Sequence, residues 1–169
     1  MRSDFADVMI FQAVLDGLTY PNYLVMRICL KTGLRLDDVL SIKTDRLKLR
    51  FTVHEKKTGK SKRVYLGADL FKELDAWSKH NPRNAGCVYV FPHRLHKDRH
   101  RTRQAVYKDV KNVARRLALT GNICPHSARK CAAVREFNRT RSLSAVKRFL
   151  NHDSDITTML YALSDKLRY

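Results

Sequence analysis

Residues 47–53, Leu-Lys-Leu-Arg-Phe-Thr-Val, alternate apolar and polar side chains, the period of a half-buried strand. Lys62 to Leu66 is a second strand candidate. Between them lies Glu55-Lys56-Lys57-Thr58-Gly59-Lys60, a hairpin turn with glycine at the tight position. Val88-Tyr89-Val90-Phe91 reads as a third short strand. The predicted sheet is therefore small, three-stranded and antiparallel, in a chain otherwise helical in pattern. A sheet segregated in sequence from its helices points to a mostly helical α+β fold.

The helices are marked by their apolar period and by their stops. Residues 4–18 carry Phe5, Val8, Met9, Phe11, Val14, Leu15 and Leu18 on one stripe. Tyr20-Pro21 breaks it, and Pro21 suits the first turn of the next helix. That helix runs to about Thr32, with Leu24, Val25, Ile28 and Cys29 on its apolar side. Gly33 supplies the left-handed residue that ends it, and a short helix follows from Leu36 to Ile42. Further helices are predicted over 68–79, 102–119 (stopped by Thr120-Gly121), 126–139, 143–150 and 154–166.

A chain of 169 residues favours one domain and is long enough to bury a core without disulfides. The apolar fraction of 44% is too high for a disordered basic tail. Against this stand 34 Lys+Arg and 16 Asp+Glu, a formal charge of +18. Only Glu55, Glu73 and Glu136 are glutamates. A folded protein with such a field attracts polyanions, phosphate backbones above all. That argues against an acidic-partner scaffold and a secreted disulfide mini-domain. Cys29, Cys87, Cys124 and Cys131 form no C-x-x-C pair, so they read as reduced, mostly buried thiols in a cytoplasm-like compartment. No run of 18 apolar residues exists to span a membrane, and the polar start Met1-Arg2-Ser3-Asp4 is no signal peptide.

Four places set polar residues beside apolar helices. Arg35 follows the helix-ending Gly33, where it is rigidly held, and Asp38 lies near enough in sequence to orient its guanidinium. Lys57 stands at the hairpin tip beside Thr58-Gly59; alone it reads as a solvated lysine. His126 and Arg129, in Pro125-His126-Ser127-Ala128-Arg129, share one helix face. Alone, that pair reads as a solvated face. Leu150-Asn151-His152 precedes Tyr161, which on its own is a core aromatic of the predicted helix over 156–161.

Taken in order, arginine, hairpin lysine, His-x-x-Arg, histidine and tyrosine resemble the ordered set of the tyrosine recombinases, the phage-integrase family. The resemblance runs from roughly residue 20 to 165. Thr32-Gly33-Leu34-Arg35 looks like the first arginine box, with Asp38 where an acidic residue is usual. Lys57 matches the hairpin lysine, and Arg103-Gln104-Ala105-Val106-Tyr107 resembles the helix opening after the third strand. Pro125-His126 through Arg129 matches the second box, and Thr157-Thr158-Met159-Leu160-Tyr161 the nucleophile helix. Leu150-Asn151-His152 sits where Leu-Gly-His is common, so Asn151 departs from the pattern, as do Ala128 and Lys130 from the common Leu and His.

The resemblance implies a tyrosine-recombinase catalytic fold, with residues 1–169 as a single catalytic domain and the core-binding and arm-binding domains absent. It implies a site-specific recombinase that cleaves and rejoins DNA through a 3′-phosphotyrosyl intermediate, with no metal and no cofactor. Arg35, Lys57, His126, Arg129, His152 and Tyr161 are its expected catalytic residues, supported by Asp38. The expected partners are double-stranded DNA and copies of the chain, tetrameric on DNA. The expected location is cytoplasmic, in a bacterial, archaeal or phage-encoded setting at the nucleoid.

The residue types suit that chemistry. Two arginines cradle a phosphate and stabilise the charge it gains. Imidazoles donate hydrogen bonds or pass protons near neutrality. An ammonium on a hairpin protonates the leaving oxygen, and a tyrosine splits the exchange into two steps. Lys56, Lys60, Arg94, Lys97, Arg99, Arg101 and Arg103 are candidate DNA contacts. For the basic loop, plain solvation competes with that reading. A metal site at His93, His96 and His100 is disfavoured, because the interleaved Arg and Lys repel a cation. The alternatives to recombination are a type IB topoisomerase-like or hairpin telomere resolvase activity, or a non-catalytic basic nucleic-acid-binding module.

Overall fold

The structure, a computed structural model, describes residues 8–151. It opens with α1 (Val8–Asp16) and α2 (Tyr20–Thr32). On α2, Leu24, Val25, Met26, Ile28 and Cys29 are all buried, and the helix packs against α1 and three later helices of the fold. Apolar residues on more than one face make it a central helix rather than a surface one. Pro21 stands in its first turn, and Gly33 closes it at φ 65°, its N–H bonding to Cys29 O at 2.8 Å. A Cβ on Gly33 would lie 2.8 Å from the Phe149 ring, so glycine is required by space as well as by conformation.

The short α3 (Leu36–Leu40) leads through a 3₁₀ turn to the hairpin, β1 (Arg50–His54) and β2 (Ser61–Tyr65). The strands are antiparallel, with Phe51 opposite Val64 and Val53 opposite Lys62. The turn closes by Glu55 N–H to Lys60 O at 2.9 Å and Gly59 N–H to Glu55 O at 2.8 Å, with Gly59 at φ 67°. Val53 and Val64 are buried, which turns that face of the hairpin toward the core.

Among the described residues the sheet has these two strands. The segment Val88–Phe91 stays off the hairpin. It makes one bridge, Lys43 to Tyr89, with Val90 N–H on Ile42 O and Thr44 N–H on Val88 O, both at 3.0 Å. Its partner enters the 3₁₀ turn Thr44–Arg46 at once, so the ladder has no room to extend.

Next come α4 (Ala68–His80), α5 (Arg103–Arg116), α6 (Pro125–Thr140) and α7 (Leu143–Leu150). Helix α5 ends several residues before the predicted Thr120-Gly121 stop. Ala118 takes the left-handed conformation at φ 50°, its N–H bonding to Arg115 O while Leu119 N–H reaches Ala114 O, both at 3.0 Å. This is a Schellman ending without glycine. Leu119 packs on the core and offsets the roughly 1–2 kcal/mol that a left-handed alanine costs.

One cluster, from Phe11 to Cys131, joins α1 to α6, and a small second cluster of Ala133, Val146 and Leu150 joins α6 to α7. The four cysteines are buried and unbridged. Asp109 of α5 ties α2 down at its start, accepting from Thr19 N–H at 3.0 Å, Thr19 Oγ1 at 2.6 Å and Asn22 Nδ2 at 2.6 Å.

Candidate active site

A cleft of about 730 Å³ opens between α3, the hairpin tip and the first turns of α5 and α6. Arg35, Asp38, Lys56, Lys57, Arg103, His126 and Arg129 all line it. Residues far apart in sequence meet here because three chain reversals converge: the left-handed end of α2, the glycine turn of the hairpin and the proline start of α6.

Arg35 leaves Gly33 in an extended conformation, φ −72° and ψ 151°, and caps α3. Its Nη1 lies 2.5 Å from Glu55 Oε2, and Thr58 Oγ1 donates to the same oxygen at 2.9 Å. The Glu55 side chain is fully buried. Orientation of Arg35, expected from Asp38, therefore falls to Glu55. Asp38 sits in the first turn of α3 and faces the hairpin backbone, accepting Lys56 N–H at 3.0 Å. Its second oxygen, Oδ2, is buried with no hydrogen-bond partner. Burial raises the Asp38 carboxyl above its ordinary value; the Lys56 N–H opposes this, Glu55 adds to it, and Arg35 and Arg129 pull it back.

Arg129 is 1% exposed. Its Nη1 donates to Gly33 O and its Nη2 to Leu150 O, the latter at 2.8 Å. These are the carbonyls at the ends of α2 and α7, where helix dipoles concentrate negative charge. Lys62 repeats the pattern one residue earlier on both helices. Its Nζ donates to Thr32 O at 2.7 Å and to Phe149 O. Arg135 supplies Leu30 O at 2.8 Å and Lys31 O at 3.0 Å. The last turn of α2 thus meets cations at each carbonyl from Leu30 to Gly33.

His126 stands in the first turn of α6 with part of its ring in solvent. The protein packed around the rest of it disfavours the imidazolium. With the charges of Arg129, Lys130, Arg35 and Lys57 added, its pKa falls to about 4. The imidazole is therefore neutral at pH 7. Lys57 projects from the hairpin tip and is exposed. His152 and Tyr161 lie outside the described residues.

The other basic residues divide. Lys56 and Arg103 line the cleft, and Arg103 Nη1 lies 3.0 Å from Asp37 Oδ2. Lys60 is exposed beyond the turn, and Lys97 and Arg99 are exposed on the loop. Arg94 and Arg101 line a separate hollow beside Trp77 and Phe91. Arg101 is half-buried, its Nε on Asn22 Oδ1 at 2.6 Å, so it braces α2 against α5. The His93 and His96 rings lie 5.1 Å apart, whereas His100 packs edge-on to Tyr89 at 5.3 Å.

The family model of the phage integrases matches residues 7–168, nearly the whole chain. The chain belongs to the phage integrase family. Over 156 residues it is 26% identical to a tyrosine recombinase XerD of Mycobacterium tuberculosis, covering 88% of this chain and 50% of that one. It therefore spans about half the length of the curated relative it matches. Its fold is shared with a lambda integrase dimer bound to a COC′ core site, TM-score 0.78 at 17% identity, over 100% of this chain and 50% of that one. It is shared also with XerH recombinase in a post-cleavage complex with palindromic difH substrate, TM-score 0.75 at 21% identity, over 97% and 50%.

Within this phage integrase fold, Glu55 and Lys62 were not predicted as site residues. Both carry a faint sequence signal. The two-residue period that buries Val53 continues to Glu55, and Lys62 shares the inward parity of Val64. A glutamate in so basic a chain is also rare. Arg135 has no comparable signal, since it reads as an ordinary charge on an exposed helix face.

Proposed function

We propose that this chain is the catalytic part of a site-specific tyrosine recombinase, which cleaves and rejoins duplex DNA through a 3′-phosphotyrosyl link. The reading rests on one observation: Arg35, Lys57, His126 and Arg129 surround a single cleft. The relatives described above include proteins whose structures hold recombination-site DNA.

In this reading a DNA phosphodiester enters the cleft and Arg35 exchanges Glu55 for a nonbridging oxygen. Arg129 holds the cleft floor and adds positive potential from beneath. Together they stabilise the charge that grows on phosphorus oxygens, where loss of one such donor typically costs about 10²–10³ in rate. His126, neutral before DNA binds, donates one N–H to the phosphate; the incoming negative charge favours its protonation. Tyr161 attacks phosphorus as its phenolic proton passes to a neutral imidazole, the bond to the 5′ oxygen breaks, and Lys57 gives that oxygen its proton. Reversal by a 5′-hydroxyl of a partner duplex rejoins the strand, so the ester's energy is retained and no nucleotide cofactor is needed. A tetramer on two duplexes is the assembly this exchange requires.

The test is a duplex carrying a nick near the crossover, so that cleavage releases a short fragment and cannot reverse. The expected result is a covalent protein–DNA adduct at a 3′ end, absent in Tyr161→Phe. Sites are to be drawn from the DNA flanking the gene. No adduct on any of them, with DNA binding intact in both proteins, overturns the reading. Relaxation of supercoiled plasmid without sequence preference would move the assignment to a topoisomerase-like activity.

A further inference from the structure

Helices α2 and α7 end against each other, and both end in a left-handed residue, Gly33 at φ 65° and Asn151 at φ 55°. Two carboxyl ends of helices in contact repel, because each carries partial negative charge. Two cations lie between them in strict register. Lys62 takes Thr32 O and Phe149 O, and Arg129 takes the next carbonyl on each helix, Gly33 O and Leu150 O. Lys62 also lies 4.7 Å over the Phe149 ring, and its strand neighbour Val64 is buried in the core. Its ammonium is thus delivered from a rigid sheet, with its stem along apolar surface.

Two groups of the proposed site hang from this junction. Arg35 leaves α2 two residues after Gly33. Arg129 is itself half of the junction.

We propose that Lys62 is a positioning residue: its ammonium clasps the ends of α2 and α7, so that Arg35 and Arg129 are held in one arrangement. Lys62 acts on the phosphate through these groups and does not touch it. The inference rests on the recombinase reading for its effect on cleavage, but not for the clasp itself.

The clasp is sensitive to alkali. Burial first, and then the facing Arg129 of α6, lower the Lys62 pKa from 10.5 to about 8, with Glu55 of the hairpin opposing. From the α2–α3 junction Arg35 lowers it and Asp38 raises it. Lys31, Arg63, Tyr65 and Arg148 border the same hollow. Loss of the proton leaves a neutral amine on carbonyls that had charge-assisted hydrogen bonds, about twice as strong. The folded pKa is the depressed one for a base, so the clasp is complete below pH 8 and fails as pH rises through it.

Two measurements test this. The first uses the wild-type protein without DNA. Carbon-detected NMR follows the Lys62 Cε and the carbonyl carbons of Thr32 and Phe149 from pH 6.5 to 10.5. All three are expected to titrate together with a midpoint near 8. A Lys62 midpoint near the ordinary lysine value, or carbonyls that ignore the titration, overturns the proposal.

The second measures cleavage of the nicked duplex at subsaturating DNA, where the rate reports the free protein. Wild type is expected to lose about tenfold from pH 8 to pH 10 beyond whatever Lys62→Arg loses, because arginine keeps its charge. Lys62→Met is expected to lose about as much already at pH 7. Identical alkaline profiles for wild type and Lys62→Arg overturn the proposal. If no variant cleaves at any pH, the recombinase reading fails, and the carbonyl titration still decides the clasp.

Discussion

Two regions of this molecule are rich in positive charge, and they are built in opposite ways. Around the α2–α7 junction, Arg129 and Lys62 are sunk against backbone carbonyls. In the loop over 92–101, Lys97 and Arg99 stand exposed. In the first region the fold supplies the counter-charge, so each cation has one orientation. In the second, water supplies it, and the side chains are free to follow whatever anion arrives. A net charge of +18 hides this difference entirely. The first arrangement suits one phosphate at a fixed point, and the second suits a long polyanion held without regard to sequence.

The comparison breaks most visibly at Arg129. Arg129→Ala removes a fully buried side chain and strands the Gly33 and Leu150 carbonyls. The expected cost is about 3–5 kcal/mol of stability in urea unfolding, together with loss of adduct formation. A variant as stable as wild type would show that the junction does not depend on its cations.

A smaller effect is expected at Asp109, which tests Arg101. That residue belongs to the basic loop by sequence but to the buried class by its contacts. Burial alone would raise the Asp109 carboxyl, yet hydrogen bonds from Thr19 and Asn22 and the charge of Arg101 hold it below its ordinary value. A depressed carboxyl adds stability above its unfolded pKa of 3.8, and that stability drains as pH falls through the lower folded value. Asp109→Asn is expected to cost about 1–2 kcal/mol at pH 7, and the difference to shrink as pH falls through the lowered folded value, read as melting temperature against pH. A constant difference across the whole range would contradict the assignment.

The smallest change in stability is expected in the exposed loop. Lys97→Ala with Arg99→Ala should stay within about 0.5 kcal/mol of wild type. Its signature is instead in DNA binding, where the slope of log affinity against log salt drops by about 1–2. An unchanged slope would remove these residues from the DNA-holding surface.

Much of this was legible in advance, for reasons that differ between elements. The end of α2 was predicted because Gly33 must be left-handed there. The hairpin was predicted because alternation and a turn glycine agree. The stop of α5 was missed because a hydrophobic contact at Leu119 outweighs a propensity rule, and no local pattern announces that. The Val88–Phe91 segment looks like a strand by composition, but its partner is decided by the path of the chain after α3. At the site, Lys57 and the His126–Arg129 pair read alone as solvated charge, and only their order along the chain after Arg35 makes them visible. Glu55 and Lys62 face inward from a hairpin, and their partners are a distant guanidinium and distant carbonyls. Contacts of that kind are invisible to any local window.

The meeting of α2 and α7 also makes the molecule sensitive to length. Each residue added to a helix turns its end by about 100° and advances it by about 1.5 Å. One insertion within α2 or α7 would carry Gly33 O or Leu150 O away from Arg129, however conservative the residue inserted. The loop over 92–101 has no such register to lose. Natural variation in chain length is therefore expected to gather in the loop and to stop short of the two helices, even where the helices' own residues change.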